Sequence, residues 1–106
     1  MNAGSLDRRA AFAIPFEARD EDGQLVQRHD VQFTVWCGVK WLRGGEAVMQ
    51  SRMQSRSPAI LTVRNTPDTR RITSEWQATI AGRVFEIRED PRPSDDRGFL
   101  EFLVEA

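Results

Sequence analysis

The chain has 106 residues, of which 40% are hydrophobic and 29% charged, and a formal net charge of −1. That length supports one domain with a modest core and leaves no room for two, and the composition is that of a folded domain with a large polar surface, not a disordered chain. No apolar run approaches a membrane span, Met1–Arg9 lacks the apolar stretch of a signal peptide, and a near-neutral charge excludes a nucleic-acid binder working by bulk electrostatics.

The dominant period along the chain is two, the mark of half-buried strands. Ala10, Phe12, Ile14 and Phe16 alternate with Arg9, Ala11, Ala13 and Pro15, predicting a first strand over Arg8–Ala18. Pro15 cannot donate to a ladder, so that end is expected at an edge or a bulge. Asp20-Glu21-Asp22-Gly23 reads as a turn. The second strand sets Val31, Phe33, Val35, Cys37 and Val39 on one face and Gln32, Thr34, Trp36, Gly38 and Lys40 on the other. His29 falls in the polar stretch before it and is expected to be a solvated loop residue.

The alternation then breaks at Arg43-Gly44-Gly45-Glu46 and resumes after Ser57-Pro58. Residues 41–58 are therefore expected to form one long loop, with a helical turn or two over Ala47, Val48, Met49 and Met53. Long loops in small domains are commonly functional or disordered. Residues 40–58 hold Lys40, Arg43, Arg52 and Arg56 against Glu46, a local charge of +3 on a body of −4. Ala59–Arg64 predicts a third strand, and Asn65-Thr66-Pro67-Asp68 a turn. Ile72 begins a weaker fourth segment ending in Trp76, Ala78 and Ile80. Ala81-Gly82 is a tight turn, Val84–Arg88 a fifth strand, Asp90–Gly98 a proline-containing connection, and Phe99–Val104 the last strand. The expected fold is all-β and mainly antiparallel: one small domain over 1–106, a barrel of about six strands, because closure removes exposed edges.

Catalytic chemistry finds little to work with. The one cysteine, Cys37, lies in an apolar alternation and reads as a buried small hydrophobe; with one histidine, the chain offers no zinc cluster. Gly44-Gly45-Glu46 lacks the lysine of a phosphate-binding loop. Adjacent acids such as Glu89-Asp90 and Asp95-Asp96 are expected in solvent. We expect no enzyme activity, no catalytic residues, no metal and no cofactor.

The order of motifs resembles the phage head–tail joining (head closure, or stopper) family across nearly the whole chain. Gly4-Ser5-Leu6-Asp7-Arg8-Arg9 is similar to its entry motif, and Asp20–Gly23 to its first hairpin turn. Val35-Trp36-Cys37-Gly38-Val39 resembles its tryptophan-bearing strand, with Gly38 where the family often has alanine. Gly44-Gly45-Glu46 falls at its Gly-x-Glu, and Ile60–Arg64 resembles its next strand. Gly82 with Val84-Phe85-Glu86-Ile87, and Arg97–Phe102, resemble its last two strands. Ala47–Arg56 and Asn65–Trp76 diverge.

The resemblance implies a virion protein of the head–tail interface, made in the bacterial host cytoplasm, in a phage, prophage or gene transfer agent. It implies a monomer in isolation that joins a homo-oligomeric ring, hexameric or dodecameric, below the portal or head–tail adaptor protein. The ring closes the capsid after packaging and offers the tail terminator or tail completion protein a docking surface. Packaged double-stranded DNA is then a non-specific partner, and no membrane is involved. The channel-facing candidates are Lys40, Arg43, Gly44, Gly45, Glu46, Arg52 and Arg56; the interface candidates are Trp36, Trp41 and Trp76. Two alternatives stand beside this reading: a nucleic-acid-binding barrel of the OB type, and a neighbouring tail-completion protein with a similar fold.

Overall fold

The computed structural model describes residues 6–42 and 57–106. Seven strands follow in chain order: β1 Arg8–Arg19, β2 Leu25–Trp41, β3 Pro58–Arg64, β4 Gln77–Ile80, β5 Arg83–Ile87, β6 Arg92–Pro93 and β7 Phe99–Glu105. They form one antiparallel sheet in the order β3-β2-β1-β4-β5-β7-β6. A further pairing of β3 with β7, from Pro58↔Glu105 to Arg64↔Phe99, closes six of the strands into a ring. Closure satisfies the edges that an open sheet would expose.

Period two puts one side of each strand into the closed interior. Ala10 and Phe12 of β1, Cys37 of β2, and Leu61 and Val63 of β3 are fully buried there. Ala78, Phe85, Phe102 and Val104 complete it from β4, β5 and β7. Phe12 meets Phe102 edge-on at 6.0 Å and Phe33 at 5.7 Å. Each such ring removed from water contributes roughly 2–3 kcal/mol.

The second strand is longer than the sequence alternation implies. β2 starts at Leu25, so His29 stands inside a strand opposite Pro15, half-buried, and not in a solvated loop. The expected face of β2 is also interrupted. Phe12 pairs with Phe33 but Ala13 pairs with Val31, so Gln32 is the extra residue of a bulge. A bulge shifts alternation by one position, and Val31 turns outward at 58% exposure while Phe33 stays with the core. Gln32 ties the bulge down: its Oε1 accepts a hydrogen bond from Arg71.

β4 reaches β1 only as far as Ala13, and β3 reaches β2 only from Cys37 onward. The remainder, Ile14–Arg19 paired with Leu25–Asp30, leaves the ring as a two-stranded arm. The radius of gyration of 14.8 Å exceeds the roughly 13 Å of a compact 100-residue domain, as such a projection requires. At the tip Asp20 N donates to Gln24 O and Gly23 N to Asp20 O, while Asp20 Oδ1 accepts the N–H of Asp22 and Gln24. Gly23 takes φ +80°, the left-handed position that closes a three-residue hairpin loop. The Asp20–Gln24 bond fixes the phase of the ladder. Pro15 therefore falls in a non-bonded pair, its missing N–H facing the free edge, as expected of an edge proline.

Two further segments differ from expectation. Ile72–Trp76 is not strand; a 3-10 turn, Thr69–Arg71, precedes it, and β4 begins only at Gln77. Ile72 and Trp76 still reach the core, which explains their apolar spacing. Thr69, 1% exposed, organises the turn by donating to the Arg64 carbonyl and accepting from the Thr66 N–H. Second, Arg92–Pro93 forms the two-residue strand β6 beyond β5 along the same side of β7. Between them Arg88 N donates to Leu103 O, and the Glu89 carboxylate accepts the Leu103 N–H at 2.9 Å. Glu89 thus replaces a backbone acceptor in the ladder and is held from behind by both its oxygens on Arg92. It is a half-buried structural acid, not the solvated one expected; Asp90, Asp95 and Asp96 are exposed as expected, although Asp90 accepts the Ser74 N–H.

Candidate functional site

Antiparallel closure sets the start of β1, the β4–β5 turn, the end of β7 and the stem of the long loop at one end of the ring. That stem is firmly held. Leu42 N donates to Pro58 O at 3.1 Å, and Ser57 exchanges two backbone hydrogen bonds with Ala106. The loop therefore leaves and returns at one point. Lys40 lies on the outward face of β2 and is exposed. Arg43, Gly44, Gly45, Glu46, Arg52 and Arg56, and the expected helical turns, lie outside the described residues.

The three tryptophans have different surroundings. Trp41 continues the inward series Val35, Cys37, Val39 to the mouth of the barrel, where it stacks at 5.6 Å on Phe85. The Arg83 guanidinium lies 4.9 Å above the Trp41 ring. This side chain is an end cap that keeps 38% exposure. Trp76 belongs to the core at 7% exposure, packed at 5.8 Å on Phe33 with Arg71 over its ring. Trp36 is the outward one, 51% exposed on the outer face of β2 with Arg9 stacked at 5.0 Å.

Trp36 forms one wall of a groove. Arg9, Thr34, Val35, Arg64, Thr66 and Thr69 line the rest, around about 240 Å³. It runs into a wider depression beside Leu6 and Asp7 that shares Trp36 and Arg64. An aromatic ring stacked by Arg9, in a groove that Arg64 also lines, suits an apolar anchor with an acidic neighbour. Arg9 and Arg64 were not among the sequence candidates. They sit on strands separated in sequence by β2, and no local pattern joins them.

The arm is the complementary surface. Over residues 14–31 it carries Glu17, Asp20, Glu21, Asp22 and Asp30 against Arg19 and Arg28, a charge of −3 with His29 neutral. It also leaves Phe16 and Leu25 at 42% and 62% exposure.

Two titratable groups among the described residues are clearly shifted. Burial pushes the Cys37 thiol from 9.0 up to about 11, Arg8 opposing and Asp7 adding to the rise. Asp96 is held below its ordinary value by hydrogen bonds from Ser94 and then Gly98. Both groups serve the fold. Among the described residues no cluster of His, Cys, Asp or Glu could hold a metal, and no helix is long and apolar enough to cross a membrane.

Comparison with known proteins agrees with this layout. The structure superimposes on the solution structure of protein SF1141 from Shigella flexneri 2a with a TM-score of 0.67 and 23% identity, covering 98% of this chain and 95% of that one. A chain from the virion of a native gene transfer agent particle superimposes with a TM-score of 0.65 and 22% identity, over 94% and 93%. At these identities the likeness is one of fold. No curated protein matches. The family model described as phage head completion protein matches residues 1–106, and the chain belongs to that family.

Proposed function

We propose that this head completion protein is a structural subunit of the head–tail connector. It assembles as a homo-oligomeric ring beneath the portal or its adaptor, closes the filled capsid, and presents the surface on which the tail, through its terminator or completion protein, docks. The observation that carries this reading is the family match over the full chain. The fold shared with a chain of a gene transfer agent virion supports it.

Within the ring, segment 41–58 faces the channel. Its clamped stem gives it one point of emergence at a barrel end, and its charge of +2, or +3 with Lys40 at its base, is repeated once per subunit. Lys40, Arg43, Arg52 and Arg56 then meet DNA phosphates without reading bases, which gives salt-dependent retention of the genome.

A deletion of residues 47–56 tests the channel role, and a null allele tests the whole. Particles without the protein are expected to lose packaged DNA and carry no tails. Particles with the deletion are expected to contain the protein but leak DNA. Tailed, DNA-filled, infectious particles from the null allele would refute the connector role. Full DNA content in the deletion particles would refute the channel role alone.

A further inference from the structure

We infer that the acidic β1–β2 arm of one copy docks into the Trp36 groove of the next, making a head-to-tail contact between copies of this chain. The inference rests on the ring proposed above and names the surfaces that build it.

The arm is under-supported by its own chain. An isolated two-stranded ribbon is marginal in water, and this one has apolar side chains on both faces: Phe16 on the side continuous with the core, Leu25 and Val31 on the other. Its tip is nonetheless well defined by the hydrogen bonds that Asp20 accepts from Asp22 and Gln24. A projection with a half-exposed phenylalanine and a −3 charge is complementary to an aromatic groove lined by Arg9 and Arg64.

The arm cannot fill the groove of its own chain. Phe16 lies seven residues beyond Arg9 along β1, a separation of about 23 Å at roughly 3.3 Å per residue. Period two also puts the two on opposite faces of the strand: Phe16 shares the parity of the buried Ala10 and Phe12, whereas Arg9 pairs with the outward Trp36. An arm seated in this groove therefore belongs to another molecule. Because arm and groove are different surfaces, the contact is heterologous, the type that generates a ring when its rotation closes.

Cross-linking within assembled particles tests this. Ala18→Cys and Thr34→Cys put one thiol on the Phe16 face of the arm and one in the groove. Cys37 is fully buried, with its thiol held protonated, and stays silent. With a short bismaleimide the double variant is expected to give a ladder of multimers ending in one closed species. Each single variant alone should give none. Normal incorporation without a ladder, or self-cross-linking of Ala18→Cys alone, would overturn the contact while leaving the connector role intact. Absence of even the wild-type chain from particles would remove both.

Charge reversal gives a second readout. Arg9→Glu with Arg64→Glu is expected to reduce incorporation about thirty-fold, the size of one interface hot spot. Glu21→Arg with Asp22→Arg in the same chain is expected to restore it. Unchanged incorporation of the first variant, or failure of the second pair to rescue a folded chain, would overturn the inference.

Discussion

The barrel and the arm are made from the same two strands, and they treat apolar side chains in opposite ways. Near the ring, β1 and β2 each have two neighbours, and Ala10, Phe12 and Cys37 are sealed from water. Past Ala13 on β1, and before Cys37 on β2, each strand keeps only the other, and Phe16, Leu25 and Val31 are left partly in solvent. The alternation in sequence is similar in both halves. What changes is the number of strands available to pair, and with it the purpose of the buried face: stability in one half, a surface for a partner in the other.

Truncating one phenylalanine in each half separates the two purposes. Phe102→Ala removes a fully buried ring that packs on Phe12, and is expected to cost about 3–5 kcal/mol of unfolding free energy. Phe16→Ala is expected to change it by less than about 0.5 kcal/mol. Urea unfolding of the free chain measures both. Equal losses would mean that the arm is part of the barrel's cooperative core.

Alkaline titration probes the barrel alone. Cys37 ionises near 9.0 when unfolded and near 11 in the barrel, because burial opposes the thiolate. Its contribution to stability is therefore complete below pH 9 and is lost as pH rises through 11. Across that window the loss amounts to roughly 2–3 kcal/mol. The chain has no tyrosine and one lysine, so few other groups titrate there. Cys37→Ala is expected to start less stable but to show a flatter profile between pH 9 and 11. A parallel fall in both proteins would place the alkaline sensitivity elsewhere.

The barrel was more legible from sequence than the arm. The apolar runs predicted β1, β3, β5 and β7 as strands, because each is paired along its buried part. Alternation failed at Val31 because a bulge is a property of two strands, invisible in the pattern of one. Trp76 kept strand-like spacing through a segment that packs on the core without joining a ladder. Glu89 looked like any acid next to a turn, and its role depends on an N–H fourteen residues away. The groove was hidden for the same reason: Arg9, Trp36 and Arg64 converge only after β1, β2 and β3 pair. The expectation of a closed barrel of about six strands needed only turn spacing and held.

A substitution at the arm's tip tests whether the two halves open independently. Gly23 holds φ +80°, where an added Cβ is disfavoured by roughly 1–2 kcal/mol. No atom lies near enough to clash, so the effect is on backbone conformation alone. Gly23→Ala is expected to speed amide exchange in residues 16–28 several-fold and to leave Leu61, Val63 and Phe102 protected. Uniform acceleration would mean that arm and barrel unfold as one unit.

The opposite experiment belongs to the barrel's own tight hairpin. β4 and β5 are joined by Ala81 and Gly82, both with positive φ, +52° and +80°. Two left-handed residues are what a two-residue hairpin needs to match strand twist, and asparagine followed by glycine is the preferred pair there. Ala81 meets the requirement at the expense of a Cβ in a disfavoured region. Ala81→Asn keeps the turn and relieves part of that strain, so it is expected to stabilise the barrel by about 0.5–1 kcal/mol. This should appear as a rise of a few degrees in Tm. The gain should be seen in barrel amides and be absent from residues 16–28, the mirror image of the Gly23→Ala result. A gain shared by the arm would show that its order is inherited from the ring to which it is attached.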